Sequence, residues 1–288
     1  MYESFNRQAL TNRAIAASLA IVSKHGIRSD DPKTLADAYS VRVHLQPAPI
    51  VARVSTLTVI LRYPIESWLL REIEVSEFLA ASCVPVVPPS DLLPSGVHSH
   101  DGLFMTFWQY VPRVSDVIPD SETVGKMLAE LHAVLKEYPD ELPLLAPPFN
   151  DIPRGIERLQ QVENILSDED LRLLRETYDT SIRQFKNSGV VLQPLHGDAH
   201  AYNLIPTAKG LLWNDFEDTC MGSVSWDLVN LDDAGRKAYG DVPDLEMLEI
   251  YQILRKIHGI VWVFSLSREF PDWVEYAQTM LNELRGDR

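Results

Sequence analysis

The sequence is short of several things, and each shortage excludes a class of protein. Only Cys83 and Cys220 occur among the 288 residues, far apart in the chain. Two distant thiols build neither a disulfide framework nor a cysteine-based metal site, so reduced thiols are expected. The chain has no run of about twenty apolar residues, and the opening MYESFNRQAL lacks a basic region followed by an apolar one. Neither a membrane span nor a signal peptide is therefore expected, and the expected location is cytoplasmic. Positive charge is scarce: 26 Lys and Arg face 41 Asp and Glu, for a formal net charge of −15. Nucleic acid is not an expected partner, because phosphate contacts demand clustered Lys and Arg. An acidic surface suits a cationic small molecule, but acidity also serves solubility alone and shifts that balance only slightly.

What is present is enough apolar material, 45% of the residues, to bury a large core in one big domain or two lobes. Leu10, Ala14, Ile15, Leu19 and Val22 recur at helical spacing over 8–25, and Gly26 stops them. The period then changes. Tyr39, Val41, Val43 and Leu45 alternate, Gln46-Pro47-Ala48-Pro49 turn, and Ile50 to Val54 continue as strand, with Val51, Arg53 and Ser55 on one face. A helix is expected over Ser67–Ala81, burying Leu70, Ile73, Phe78 and Leu79. After the Pro-rich Val84–Pro89 and a turn over His98–Gly102, LFMTFWQYV reads as a strongly apolar strand. His98 and His100, on that turn, read as solvated rather than as metal ligands.

From Pro112 onward the pattern is mainly helical. Ser121 is placed to cap a helix with the stripe Val124, Met127, Leu128, Leu131 and Leu135, beside which His132 reads as a core histidine. Further helices are expected over Leu171–Phe185, Pro243–Phe264 and Pro271–Arg285, with a short strand at Val190–Leu192. There is no internal repeat or low-complexity segment.

The chemistry concentrates in residues 195–227, LHGDAHAYNLIPTAKGLLWNDFEDTCMGSVSWD. Leu204-Ile205 and Leu211–Trp213 read as two strands joined by turn residues Pro206–Gly210. A hairpin sets its ends side by side, so Asn203 and Asp215 are expected close together, as oxygen ligands of the kind Mg²⁺ takes while keeping waters and bridging phosphates. Asp198, nearby but not a ligand, is left to accept the proton of an attacking hydroxyl.

HGDAHAYN, then NDFED, then GSVSWDL resemble the aminoglycoside phosphotransferase and choline kinase family, and the resemblance covers most of the chain. It implies an α+β, two-lobed, protein-kinase-like fold: an N-terminal lobe over 1–111 with an antiparallel sheet and helices, and a mainly helical catalytic and substrate-binding lobe over 112–288. It also implies an ATP- and Mg²⁺-dependent kinase for a small hydroxyl-bearing acceptor, with Asp198 as base and Asn203 and Asp215 on the metal. Asp227 and His196 then support the catalytic loop. Arg53 in IVARVS takes the place of the strand cation that grips the α- and β-phosphates, and Glu72 is its expected partner, with Glu74 as fallback. Gln109, Tyr110 and Val111 stand at the expected interlobe hinge and offer main-chain groups to adenine.

One departure from the family pattern concerns the loop that covers the nucleotide. KTLADAYS, Lys33–Ser40, contains no glycine, and Ser40 replaces the Asn that often closes the loop, leaving grip to the Ser40 hydroxyl or Arg42. The acceptor is expected beside Asp198, near the Glu217-Asp218 loop and the last helices. There Asp232, Asp233, Glu269, Asp272 and Glu275 are available to a cation, and Trp262 and Trp273 either to a ring or to the core. Two other classes compete with the kinase. One is a metal-dependent hydrolase using His196, Asp198, His200 and Asp215; the other is a non-catalytic nucleotide-binding pseudokinase.

Overall fold

The computed structural model describes residues 7–162, 165–240 and 245–286. In chain order the elements are α1 (Arg7–Lys24), β1 (Ser29–Asp37), β2 (Ser40–Pro47), β3 (Ile50–Ser55), α2 (Glu66–Ala81), β4 (His98–His100), β5 (Leu103–Gln109) and α3 (Ser121–Leu135). There follow α4 (Ile152–Gln161), α5 (Asp168–Asn187), β6 (Gln193–Leu195), β7 (Leu204–Thr207), β8 (Gly210–Trp213), β9 (Cys220–Gly222), α6 (Ser225–Leu228), α7 (Asp233–Tyr239), α8 (Leu248–Ser265) and α9 (Val274–Arg285). They form two compact units. The first holds the described residues up to Asp120 with Glu130–Pro139 and His200–Thr219; the second holds Ser121–Ala129, Asp140–Ala199 and Cys220 onward.

The first unit is built on a five-stranded sheet in the order β1-β2-β3-β5-β4, with every pairing antiparallel. Alternation along β3 sends Ile50, Ala52 and Val54 into a core shared with Ala14, Ala17 and Ile21 of α1. On the opposite face Trp108 packs with Ile73 of α2 and with Val87, Val51, Ile205 and Leu212. The β7–β8 hairpin belongs to this unit, and Leu204 stands opposite Trp213.

Several expectations need correcting here. Lys33–Asp37 is not a free loop but part of β1, an edge strand whose exposed, charged residues and Pro32 carry no apolar alternation. His98 and His100 lie on β4 rather than in a turn. Leu70 is exposed on α2, whose buried face runs through Trp68, Leu69, Glu72, Ile73, Val75, Ser76 and Leu79.

The second unit is organised by α8, which is buried all round over Ile260–Ser265 and packs against α4, α5, α6 and α9. Gly155 on α4 permits the close approach, since a Cβ there would stand 2.6 Å from the Val261 Cβ. Ser167 begins α5 with a capping box shared with Asp170, which is also bonded to Arg285 of α9. The expected strand at Val190–Leu192 starts instead at Gln193, and Val191 is exposed. Ser121 does not act as expected: its hydroxyl takes the Asp232 N–H, 3.2 Å away. The expected helix start at Pro243 lies outside the described residues.

Candidate active site

In the first unit, a cavity of about 420 Å³ opens over the sheet face opposite α1. Val51, Val87, Trp108, Val111 and Ile205 supply apolar walls, while Arg42, Arg53, Glu72, Asn214 and Asp215 supply charge and hydrogen-bonding groups. This combination, apolar walls with a few convergent polar groups, is typical of small-molecule and cofactor sites.

Arg53 is the hub of the charged end. Its Nη1 donates to Glu72, and its Nη2 stands 3.0 Å from Asp215 Oδ1 and 2.8 Å from Glu217 Oε2. Glu72 reaches it because β3 and α2 face each other, whereas the fallback Glu74 is exposed on the far side of the helix. Burial alone would lower the guanidinium pKa, but Asp215, Glu217 and Glu72 outweigh it and hold Arg53 well above its usual value. Burial pushes the Glu72 carboxyl up; Arg53 opposes this, while the negative Asp215 and Glu217 reinforce it.

Asp215 occupies a left-handed conformation, φ 68°, which few residues other than glycine adopt. Asn214 holds the bend by donating its N–H and Nδ2 to the Asn203 carbonyl at 3.0 and 2.8 Å. Asn203 is buried beside this junction. The Asp215 carboxylate lines the cavity and draws Arg42 to 2.6 Å as well as Arg53, so it is a strong cation site. A carboxylate and an amide oxygen would together suit a hard divalent ion that retains water, not a closed protein cage; Asp215 lines the cavity, whereas Asn203 lies outside the lining. Among the described residues, no group of three or more His, Cys, Asp or Glu side chains is placed to hold a metal.

The expected hinge residues all line the cavity, but with unequal freedom. Gln109 and Tyr110 have committed their N–H groups to the Pro88 and Pro49 carbonyls. No such bond from Val111 N–H is found among the described residues. The Tyr110 ring stacks on His44, their centroids 3.5 Å apart. Ser40 is buried and lies outside the lining, whereas Arg42 is part of it.

In the second unit, the loop carrying Asp198 is pinned by backbone contacts. Asp227, fully buried on α6, accepts the His196 N–H at 2.8 Å and the Gly197 N–H at 2.9 Å. Gly197 takes φ +87°, the conformation that lets one carboxylate reach both donors. The His196 Nδ1 accepts the Asp198 N–H at 3.3 Å, and the Trp226 indole donates to the Gly197 carbonyl at 2.8 Å. Asp198 itself is half-buried, and its Oδ1 accepts from Arg255 of α8 at 2.9 Å. Arg255 also donates to the Gly197 carbonyl and stacks 3.9 Å over Trp226.

Sequence reasoning missed Arg255, and with it Arg62 and Arg71, because no local pattern marks an arginine whose partner is remote in the chain. Arg62 donates to Glu217 at 2.7 Å and to Asp218 at 3.2 Å, and both Arg62 and Arg71 lie over the Trp68 ring. Glu217 and Asp218 are consequently buried in ion pairs with Arg62. The Trp262 indole donates to buried Asp151 at 3.0 Å, and Trp273 stacks on Phe270, which assigns both rings to packing. Asp232 caps α7 through the Gly235 N–H, and Asp233 pairs with Arg236.

The structure is similar to solved small-molecule kinases along nearly its full length. A GDP and kanamycin complex of APH(2″)-IIIa matches with a TM-score of 0.67 at 17% identity, covering 94% of this chain and 99% of that one. The amicoumacin kinase hAmiN, solved with AMP-PNP, Ca²⁺ and Ami, matches with 0.67 at 11% identity over 92% and 93%. The choline kinase LicA from Streptococcus pneumoniae matches with 0.62 at 16% identity over 92% and 99%. Such likeness defines the kinase-like fold shared by these enzymes. No curated protein matches the sequence significantly. The model of the phosphotransferase enzyme family matches residues 63–260, more than half of the chain. The chain belongs to that family and is a phosphotransferase. Among the described residues, no helix is long and apolar enough to cross a membrane.

Proposed function

We propose that the protein is an ATP- and Mg²⁺-dependent kinase that transfers the γ-phosphate to a hydroxyl of a small acceptor. The observation that carries this is the placement of Asp215 and the Arg53–Glu72 pair at the charged end of an otherwise apolar cavity. Adenine takes the apolar end, with Val111 N–H as the main-chain donor and carbonyls of Gln109–Val111 as acceptors. The sheet lobe, 1–111, supplies this nucleotide site together with Ile205, Asn214 and Asp215 from the β7–β8 hairpin and its exit, and the rest of the helical lobe, 112–288, supplies the acceptor site. Asp215 and Asn203 hold the divalent ion, which when bound neutralises charge on the β- and γ-phosphates. Asp198 accepts the proton of the incoming hydroxyl, while Asp227 and His196 keep its loop in shape.

Catalysis in this reading is positioning and electrostatics, without a phosphoenzyme. The acidic chain favours a cationic acceptor of aminoglycoside-like or choline-like kind. Release of ADP from ATP across a panel of amino sugars, amino alcohols and neutral polyols tests the reading. Acceptor-dependent ADP release that Asp198→Asn suppresses supports it. Failure of every acceptor, together with absence of ATP binding, would overturn it.

A further inference from the structure

We propose that Arg42, more exposed than the deeply set Arg53, is a guanidinium that moves onto the nucleotide phosphates, exchanging its bond to Asp215 for one to a phosphate oxygen. This rests on the nucleotide reading above and deepens it. Arg42 on β2 stands directly opposite Arg53 on β3, and both line the cavity. Their surroundings differ. The Arg53 side chain is 6% exposed and engaged by three carboxylates, whereas that of Arg42 is 36% exposed and, among the described residues, paired with Asp215 alone. Moving Arg53 onto a phosphate would strip Glu72 and Glu217 of a buried partner. Moving Arg42 strips nothing buried, because Asp215 keeps Arg53 and gains the divalent ion.

The segment that lacks glycine leads to the same residue. Its backbone runs as β1, paired with β2 at Thr34–Val43, Ala36–Arg42 and Asp37–Val41, so it forms sheet where a glycine-rich loop would turn N–H groups toward phosphate. Ser40 is buried outside the cavity lining. Arg113, the remaining arginine of the lining, donates through Nε to the Ser115 carbonyl beyond Val111, at the end assigned to adenine. With a divalent ion held by Asp215, the Arg42 guanidinium, 2.6 Å from that carboxylate, would lose its attraction there and be free to pair with a phosphate oxygen.

Calorimetric titration of the full chain with Mg²⁺–AMP-PNP and, separately, with adenosine tests the exchange in wild type, Arg42→Ala and Arg42→Gln. The expected result is a loss of about 10–100-fold for AMP-PNP in both variants, the worth of one charge-assisted contact, with adenosine affinity unchanged. Mn²⁺ binding without nucleotide, followed by electron paramagnetic resonance, should tighten in both variants because Asp215 has lost a competing cation. Variants that bind AMP-PNP as the wild type does would overturn the proposal, as would equal losses for AMP-PNP and adenosine. A wild type that binds adenosine and AMP-PNP while Arg42→Gln matches it refutes the Arg42 role alone. A wild type that binds neither refutes the nucleotide reading and this inference with it.

Discussion

In the sheet-bearing unit Asp215 is held by side-chain charge, between Arg42 and Arg53; in the helical unit the Asp198 loop is held mainly through its backbone, by Asp227 and Trp226. The two arrangements respond differently to the loss of a side chain. A charge-held group depends on the buried cation of its cluster, and removing that cation leaves its carboxylates buried without their shared partner. A backbone-held loop keeps its shape when the functional carboxylate is neutralised, because the carboxylate is not what holds it. Binding is therefore predicted to fail with stability in the first unit, and chemistry to fail alone in the second.

Asp198→Asn breaks the comparison most sharply. Turnover should fall by about 10²–10⁴, the usual worth of a general base, with melting temperature and ATP affinity little changed. Single-turnover rate, affinity and melting on one preparation check this. Loss of all three together would mean that Asp198 only braces its loop.

Arg53→Ala is the counterpart in the first unit. It leaves Glu72, Asp215 and Glu217 without their shared cation, and a broken buried pair costs about 3–5 kcal/mol. Denaturant unfolding should show that loss together with weakened ATP binding, and Arg53→Lys should lose less of both. A stable Arg53→Ala protein with normal ATP affinity would contradict the cluster's role.

Arg255 lies between the extremes, since it touches the loop's backbone and the Asp198 carboxylate at once. Arg255→Ala should lower turnover by about 10-fold, the worth of one charge-assisted bond in a partly exposed setting, and Arg255→Lys should restore part of it. An unchanged rate in Arg255→Ala would make the contact structural only.

The smallest effect is a slope with pH. The folded-state pKa of Glu72 is raised by burial from 4.5 to about 8, so the native protein holds a proton that the unfolded chain releases. That contribution to stability is complete below the unfolded value and is lost as pH rises through the folded one. Over this window the wild type should lose stability relative to Glu72→Gln, by no more than about 1.4 kcal/mol per pH unit for one proton. Parallel melting curves at pH 5, 6, 7 and 8 measure the difference; identical slopes would count against it.

The same contrast decides what was legible in the sequence. The hairpin of the 195–227 stretch was legible because its signals are local: β7 and β8 form where the turn residues put them. The stripes of α1 and α3 were legible because each buries one face. β1 was not, since an exposed edge strand needs no apolar alternation, and α4 was not, since its entry through the π-helical turn Pro147–Asp151 carries no ordinary cap. Arg53–Glu72 followed from family pattern rather than periodicity. Arg62 with Glu217, and Arg255 with Asp198, join residues 155 and 57 positions apart, which only the folded chain brings together.

The central claim, that the cavity of the first unit takes ATP with a divalent ion on Asp215, is tested most directly by the affinity for ATP with and without Mg²⁺, in wild type and in Asp215→Ala. The account predicts that Mg²⁺ tightens ATP binding in the wild type and that Asp215→Ala abolishes this increment while adenosine binds both proteins alike. Asn203→Ala should reduce the increment less, since a neutral amide contributes less than a carboxylate to a dication. An equal Mg²⁺ increment in wild type and Asp215→Ala would contradict the claim.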